Sequence, residues 1–342
     1  MLSAGYYADR RRNLVPIYTP ECLNNLVDAP LSHGEVQVLL TSGGFRERMA
    51  ARQIGSDSKG SDSVAEPVKT AEGGDGTPAG TSALAFDFGE NWDHYSRTVL
   101  DEPRLVAAID SLKGLVGTDR LKDASFCDVG SGSGLFTIAA GKLGVGRALG
   151  FDVNPTGVEV ARRNLGRFAP ELADRIEFRR GSALDSGFVG SLGRFDVVYA
   201  WGSLHHTGSM WPAIETVAPL VAPGGTFVLA LYNRHWTSPI WTLIKIVYNL
   251  SPGFLRKLWD WTLGSLMFLA TWAITGSNPL RKERGMEFWV DVTDWLGGYP
   301  YEYASADEVR ARMDALGFDM LEVRPPRVPT GCNEFILRRR PA

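Results

Sequence analysis

The run Asp128-Val129-Gly130-Ser131-Gly132-Ser133-Gly134 places glycine at three alternate positions behind an acidic residue. Glycine is needed where a backbone turns tightly and comes close to a ligand. Asp152 lies 22 residues beyond Gly130, and a carboxylate there accepts hydrogen bonds from both hydroxyls of a ribose. A dinucleotide fingerprint reads G-x-G-x-x-G, but its third glycine position holds Leu135, with Gly134 one place early. Alternate glycines suit a nucleoside without a pyrophosphate, such as S-adenosylmethionine; the plain alternative is a glycine-rich turn of any doubly wound fold. A second candidate is the adjacent pair His205 and His206, two of the five histidines. Imidazole titrates near neutrality, so either ring can take a proton. His205 is slightly favoured, and the alternative is that both rings are structural.

Other chemistries fit less well. Ser203 is not in a G-x-S-x-G elbow and so is a poor hydrolase nucleophile. His205, His206 and His235 lack HExxH spacing or a companion cysteine pair, so no metal site is expected. Cys22, Cys127 and Cys332 are far apart, which excludes a disulfide framework and a zinc ribbon and fits a reducing cytosol. The balance of 36 Lys+Arg against 39 Asp+Glu gives no whole-molecule field for nucleic acid. The N-terminus, with Arg10, Arg11 and Arg12, lacks the apolar run of a signal peptide.

The elements that would position these residues alternate between strand and helix patterns. Strands are expected at 124–129, 147–153, 175–180, 195–201, 225–232, 320–323 and 334–337. Helices are expected at 135–143, at 155–168 with Pro155 in its first turn, at 211–221, and after the cap Ser305 up to Gly317. Such βα repetition implies a parallel sheet covered on both faces. Residues 55–82 hold only Val64 and Val68 as large apolar side chains, too few to offset their ordering entropy, and read as a flexible linker. Residues 1–54 are then a small N-terminal appendage of unread role, and 83–342 the main domain.

From residue 85 to 340 the chain resembles the class I S-adenosylmethionine-dependent methyltransferases, at DVGSGSG, GFDVNP, FDVVYAWGSLHHTG and APGGTFVLALYN. The tail DWLGGYPYEYAS…GCNEFILRR resembles the ubiquinone-biosynthesis-like small-molecule methyltransferases. The resemblance implies a Rossmann-like, doubly wound α/β fold with a seven-stranded sheet, its last strand antiparallel. It further implies that Asp128, Gly130, Ser131, Gly132 and Gly134 border the methionine part of the cofactor. Asp152 would hold the ribose, Val153 would line the adenine pocket, and Ser182 and Ala183 would meet the adenine. Asp185 is the nearest acid to that pocket.

Methyl transfer is an in-line displacement in which positioning supplies much of the acceleration. Trp201 and Gly202, closing the fourth strand, lie where the methyl group should emerge. Phe86, Phe88, Trp92 and Tyr95 either fold over the cofactor as a lid or close the end of the core. Residues 236–300 form an apolar helical insertion, and 236–275 hold five of the ten tryptophans. Its most apolar core, 263–274, has 12 residues, short of the ~20 of a spanning helix. A span would also divide one sheet across a bilayer. The insertion is therefore a cap buried against the domain or a second subunit, or a cap over the acceptor pocket or interfacial helix admitting a lipid-like acceptor. The resemblance places Asp291, Asp294, Trp295, Tyr299, Glu302 and Tyr303 in a loop near the acceptor, jointed at Gly297-Gly298; the alternative, slightly favoured for any single residue, is a surface loop whose aromatics anchor the insertion.

The function expected is methyl transfer to an oxygen, less readily a carbon, of a small-molecule acceptor that is quinol-like, lipid-like or sugar-containing. The setting is cytoplasmic, at the membrane periphery if the interfacial reading holds. An NAD-dependent oxidoreductase and a non-catalytic cofactor-binding assembly subunit are the alternatives.

Overall fold

Strands form where branched and aromatic residues run together between glycine or proline signals. A computed structural model describes residues 88–276, 278 and 288–341. The appendage expected at 1–54, the linker at 55–82 and Phe86 lie outside the described residues. Strands β1 (Ser125–Val129), β2 (Arg147–Asp152), β3 (Ile176–Arg180), β4 (Phe195–Trp201) and β5 (Val221–Asn233) pair in parallel in the order β3-β2-β1-β4-β5. On the far edge β8 (Cys332–Arg339) runs antiparallel to β5 and to β7 (Phe318–Arg324). The expected seven strands are present, the last antiparallel. A further strand of two residues, β6 (Tyr303–Ala304), pairs with Tyr232 and Asn233 beyond the end of β4.

Helices α1 (Phe88–Thr98), α2 (Glu102–Val116) and the short α3 (Thr118–Leu121) precede the sheet. The sequence reading has no helix at α2, although Asp101 caps it by accepting from the Arg104 amide at 3.0 Å and Leu105, Ala108, Leu112 and Leu115 bury one face. Next come α4 (Leu135–Lys142) and α5 (Pro155–Phe168), the latter capped by Asn154, then α6 (Ser186–Ser191) and α7 (Met210–Val217). After β5 the insertion supplies α8 (Ser238–Leu250), α9 (Gly253–Thr275) and α10 (Phe288–Gly297). Helix α11 (Ala306–Ala315) starts at a capping box of Ser305 and Glu308.

Alternation along the strands divides the core. Phe126, Ala148, Val197 and Tyr199 face one way, against Trp92, Leu105, Ile138 and Val158 of α1, α2, α4 and α5. Cys127, Leu149, Val198 and Leu229 face the other, against Val189, Ile214 and Val309 of α6, α7 and α11. A parallel sheet needs such cover on both faces. The insertion has its own apolar cluster, centred on Tyr232, Tyr248, Phe288, Val292, Trp295 and Tyr301. Strand β1 lies between β2 and β4 with Asp128 level with Gly150 and Tyr199, so the connections diverge and open a crevice at the carboxyl ends.

Candidate functional site

The glycine turn sits in that crevice. Gly130 and Gly132 have φ of 73° and 50°, and both meet close neighbours. A Cβ on Gly130 would lie 2.4 Å from the Ser203 Cβ, and one on Gly132 would lie 2.6 Å from the Trp92 indole. Side chains are thus excluded from the turn by sterics as well as by backbone angle. Asp152 closes β2 with both carboxylate oxygens engaged: Oδ2 accepts from the Gly132 amide and Oδ1 from the Asn154 amide, each at 2.9 Å. These bonds fix its orientation and leave further lone pairs for a ligand hydroxyl. Asp128 is buried and accepts the Thr137 hydroxyl at 2.7 Å, which ties β1 to α4.

Two observations fit a cationic nucleoside such as S-adenosylmethionine. Burial raises the Asp152 carboxyl above its ordinary value. Burial, together with nearby Asp152, raises Asp128 to about 7 against the Thr137 hydrogen bond. A positive ligand would relieve that cost. The Ser131 hydroxyl is also buried in the turn without a hydrogen-bond partner. Leu135 opens α4 with its side chain buried, where a dinucleotide fingerprint would need glycine.

The other expected cofactor positions are spread along the crevice. Val153 follows β2 and is exposed, while Ser182 and Ala183 are half-buried after β3. Asp185 caps α6, accepting from the Phe188 amide at 3.0 Å. Trp201 is buried with its indole N–H donating to Glu334 at 2.8 Å, and Gly202 follows it at φ 74°. Trp92 packs over the turn from α1 and meets Tyr95 edge-on. Phe88 on the same helix faces His206, with ring centroids 5.6 Å apart.

His205 and His206 lie in a short 3-10 turn, Leu204–His206, held to the glycine turn by Ser203, whose hydroxyl donates to the Val129 carbonyl at 2.7 Å. His206 Nδ1 lies 2.7 Å from the Pro300 carbonyl. A carbonyl only accepts, so Nδ1 carries the proton and Nε2 is left as a bare acceptor. That Nε2 is buried and without a partner. Burial, and then Lys245, lower His206 to about 3, so the ring is neutral. His205 is fully buried, its ring centroid 4.4 Å from that of His206 and 4.2 Å from that of Tyr232. Its two nitrogens make no hydrogen bond of normal geometry, and burial drives it well below the usual value.

The region expected as an acceptor-side loop is instead partly helical: α10 runs through Asp294 and Trp295 to Gly297, because Phe288, Val292, Trp295 and Leu296 give it an apolar face. Asp294, Trp295 and Tyr299 are buried, Tyr303 is half-buried in β6, and Asp291 carries no described side chain. Glu302 holds the start of α7 by accepting the Met210 amide at 3.0 Å, and burial raises it to about 7.

Sequence reasoning missed Lys245. It is fully buried on α8, donates to the Trp295 carbonyl, and faces the Trp295 and Tyr301 rings at 4.9 and 4.7 Å. Asp294 favours its charge, but burial dominates and lowers it to about 7. The available signal was one cation alone in SPIWTLIKIVYNL.

A family profile described as a methyltransferase domain matches residues 100–323. The 27-O-demethylrifamycin SV methyltransferase of Amycolatopsis mediterranei is 28% identical over 167 residues, 46% of this chain and 56% of that protein. The ubiquinone biosynthesis O-methyltransferase of Azorhizobium caulinodans is 28% identical over 197 residues, 54% of this chain and 75% of that one. A ribosomal protein L11 methyltransferase of Clostridium botulinum is 46% identical over 63 residues, 18% of this chain and 19% of that one. The chain thus spans from about a fifth to three quarters of the length of these curated relatives. Among solved structures, magnesium protoporphyrin IX methyltransferase from Synechocystis with bound SAH aligns at 16% identity and a TM-score of 0.46, over 73% of this chain and 94% of that one. By the match over residues 100–323 the chain belongs to the methyltransferase domain family.

Proposed function

We propose that this chain transfers a methyl group from S-adenosylmethionine to an oxygen, less readily a carbon, of a small-molecule acceptor that is quinol-like, lipid-like or sugar-containing. S-adenosylmethionine supplies, when bound, a methyl group activated on a sulfonium. In this reading the turn from Gly130 to Gly134 admits the methionine end, Asp152 takes the ribose hydroxyls, and Val153, Ser182 and Ala183 border the base. Trp201 and Gly202 close the floor where the methyl group is presented.

The observation that carries the reading is the anchoring of Ser203 against Gly130 and the Val129 carbonyl, which ties the turn that bears His206, with its bare, buried Nε2, to the glycine turn. His206 accepts the acceptor's hydroxyl proton through Nε2, while Pro300 fixes its tautomer. The acceptor's hydroxyl proton would rest on His206 Nε2 until the site opens to solvent. A neutral imidazole in a dry site is a weak base, so an acidic hydroxyl such as a phenol suits it better than an aliphatic alcohol. His205 packs behind it and holds its place against Tyr232. The proposed setting is the cytoplasm, with residues 236–275 reaching towards lipid or a second copy.

Incubation with methyl-labelled cofactor and native extract tests this. Label should appear in a small metabolite; label in RNA or protein would overturn the acceptor class. With that acceptor, His206→Gln should lower kcat by about a hundredfold or more with cofactor affinity retained, and His205→Gln by less. Full turnover in both variants would sink the base.

A further inference from the structure

The α8–α9 hairpin leaves one side uncovered. Ile240, Leu243, Val247 and Leu250 recur at intervals of three and four along α8, and all are exposed. They form an apolar stripe that faces away from Lys245 and Tyr248, which are buried on the same helix. Phe254, Leu258, Trp261, Leu269 and Trp272 continue the exposed surface on α9, with Phe254 73% and Trp261 68% accessible. Soluble chains rarely leave so many large apolar side chains contiguous without a use.

The charges around this surface are one-sided. Asp260 is the single acid between residues 236 and 276, and it is turned inward to accept the Tyr248 hydroxyl at 2.7 Å. Lys257 is exposed and Arg256 precedes it. Among the described residues of this face, two copies meeting through it would bring Lys257 near its own kind with no exposed acid to receive it. At ~100° per residue the exposed side chains of α9 also reach well beyond a narrow stripe, since Leu266 and Ile274 are exposed as well. A partner helix would cover only a narrow seam, whereas a fluid apolar phase covers a wide arc. Exposed tryptophans, Trp236, Trp261 and Trp272, have the ring chemistry favoured at the boundary between hydrocarbon and water.

We propose that the outer face of α8 and α9 docks on an anionic lipid surface, lying in the interface without crossing it. Among the described residues no helix is long and apolar enough to cross a membrane. Strands β7 and β8, which follow the hairpin, rejoin the sheet at β5, so both ends of the insertion stay on one side of the bilayer. The inner face of the same hairpin carries Lys245 and meets Trp295 beside the histidine turn. Docking thus places the proposed acceptor site at the headgroup level, where an acceptor with an apolar tail would present its polar end. The docking stands without the methyl-transfer reading; only the choice of acceptor rests on it.

Flotation of the full chain with vesicles tests the proposal without turnover. Vesicles of phosphatidylcholine alone are compared with vesicles holding about one-third phosphatidylglycerol. Wild type should float with the anionic vesicles and less with the neutral ones, and brominated lipid should quench its tryptophan emission. The variant Leu243→Glu/Val247→Glu/Leu258→Glu/Leu269→Glu should lose about tenfold or more in partition with S-adenosylmethionine affinity unchanged. Because the quenching is read on wild type, a variant that fails to fold does not remove the test. Wild type that stays in the buffer with both vesicles would overturn the proposal. It would do so either as a monomer, with the face covered by another part of the chain, or as a dimer, with the face covered by a second copy.

Discussion

Between Arg234 and Arg256 the sequence has a single Asp, Glu, Lys or Arg, and the fold buries it. Lys245 keeps its amine against the Trp295 carbonyl and two aromatic faces, an environment that suits a cation in direction but strips its water. Its folded value of about 7 lies below the usual 10.5 of the unfolded chain. Between those values the unfolded chain binds more protons, so this group makes the protein more stable as pH rises. Below about 7 both states are protonated and the full cost of burial remains. Wild type should therefore gain stability relative to Lys245→Met as pH climbs from about 7 towards 10, measured by calorimetric melting; a gap that does not change with pH would contradict the buried cation. The glycine turn, Asp152 and the histidine pair were legible because their spacing is local. Lys245 was not, nor was its meeting with Asp294, which depends on how α8 and α10 pack.

Helix α1 lies across the elements that bear the proposed chemistry. Phe88 faces His206, the Asn91 amide donates to Asp294 at 3.0 Å, and Trp92 covers Gly132. Further along, the Ser96 hydroxyl donates to Asn164 on α5 at 2.6 Å. Of the two alternatives for this aromatic segment, Trp92 and Tyr95 belong to the buried core, and Trp92 packs against Gly132 of the turn. Gly132→Ala would push a methyl group into the Trp92 ring and lift α1. It should cost about 1–3 kcal/mol of stability and weaken cofactor binding. Gly144→Ala, also at positive φ (88°) but with open space around it, should cost about 1 kcal/mol and leave binding intact. Melting and calorimetry on both separate the two effects; equal binding losses would contradict the role of α1. The strands were legible from apolar runs and the helix starts from Pro155 and Ser305. Helix α2 escaped because its stripe begins beside the aromatic segment read as a lid. Strand β6 escaped because two residues carry no period.

At the scale of the whole molecule, the sheet order places the crevice, and the insertion packs its aromatic cluster against Tyr232 of β5. Seven strands in the order β3-β2-β1-β4-β5-β8-β7 bring the glycine turn, Asp152 and the histidine turn to one edge, while α8, α9 and α10 roof that edge with aromatic side chains. In the proposed reading the first part would carry the methyl transfer and the second the choice of acceptor, and relatives that match about half the chain inform the first more than the second. The most direct test of the account is titration calorimetry of S-adenosylmethionine into wild type and Asp152→Ala, each first shown to melt cooperatively. The account predicts binding to wild type and an affinity weaker by about 10- to 100-fold in the variant, the value of a hydrogen-bonded charge. No binding to wild type, or equal affinity in both proteins, would contradict it.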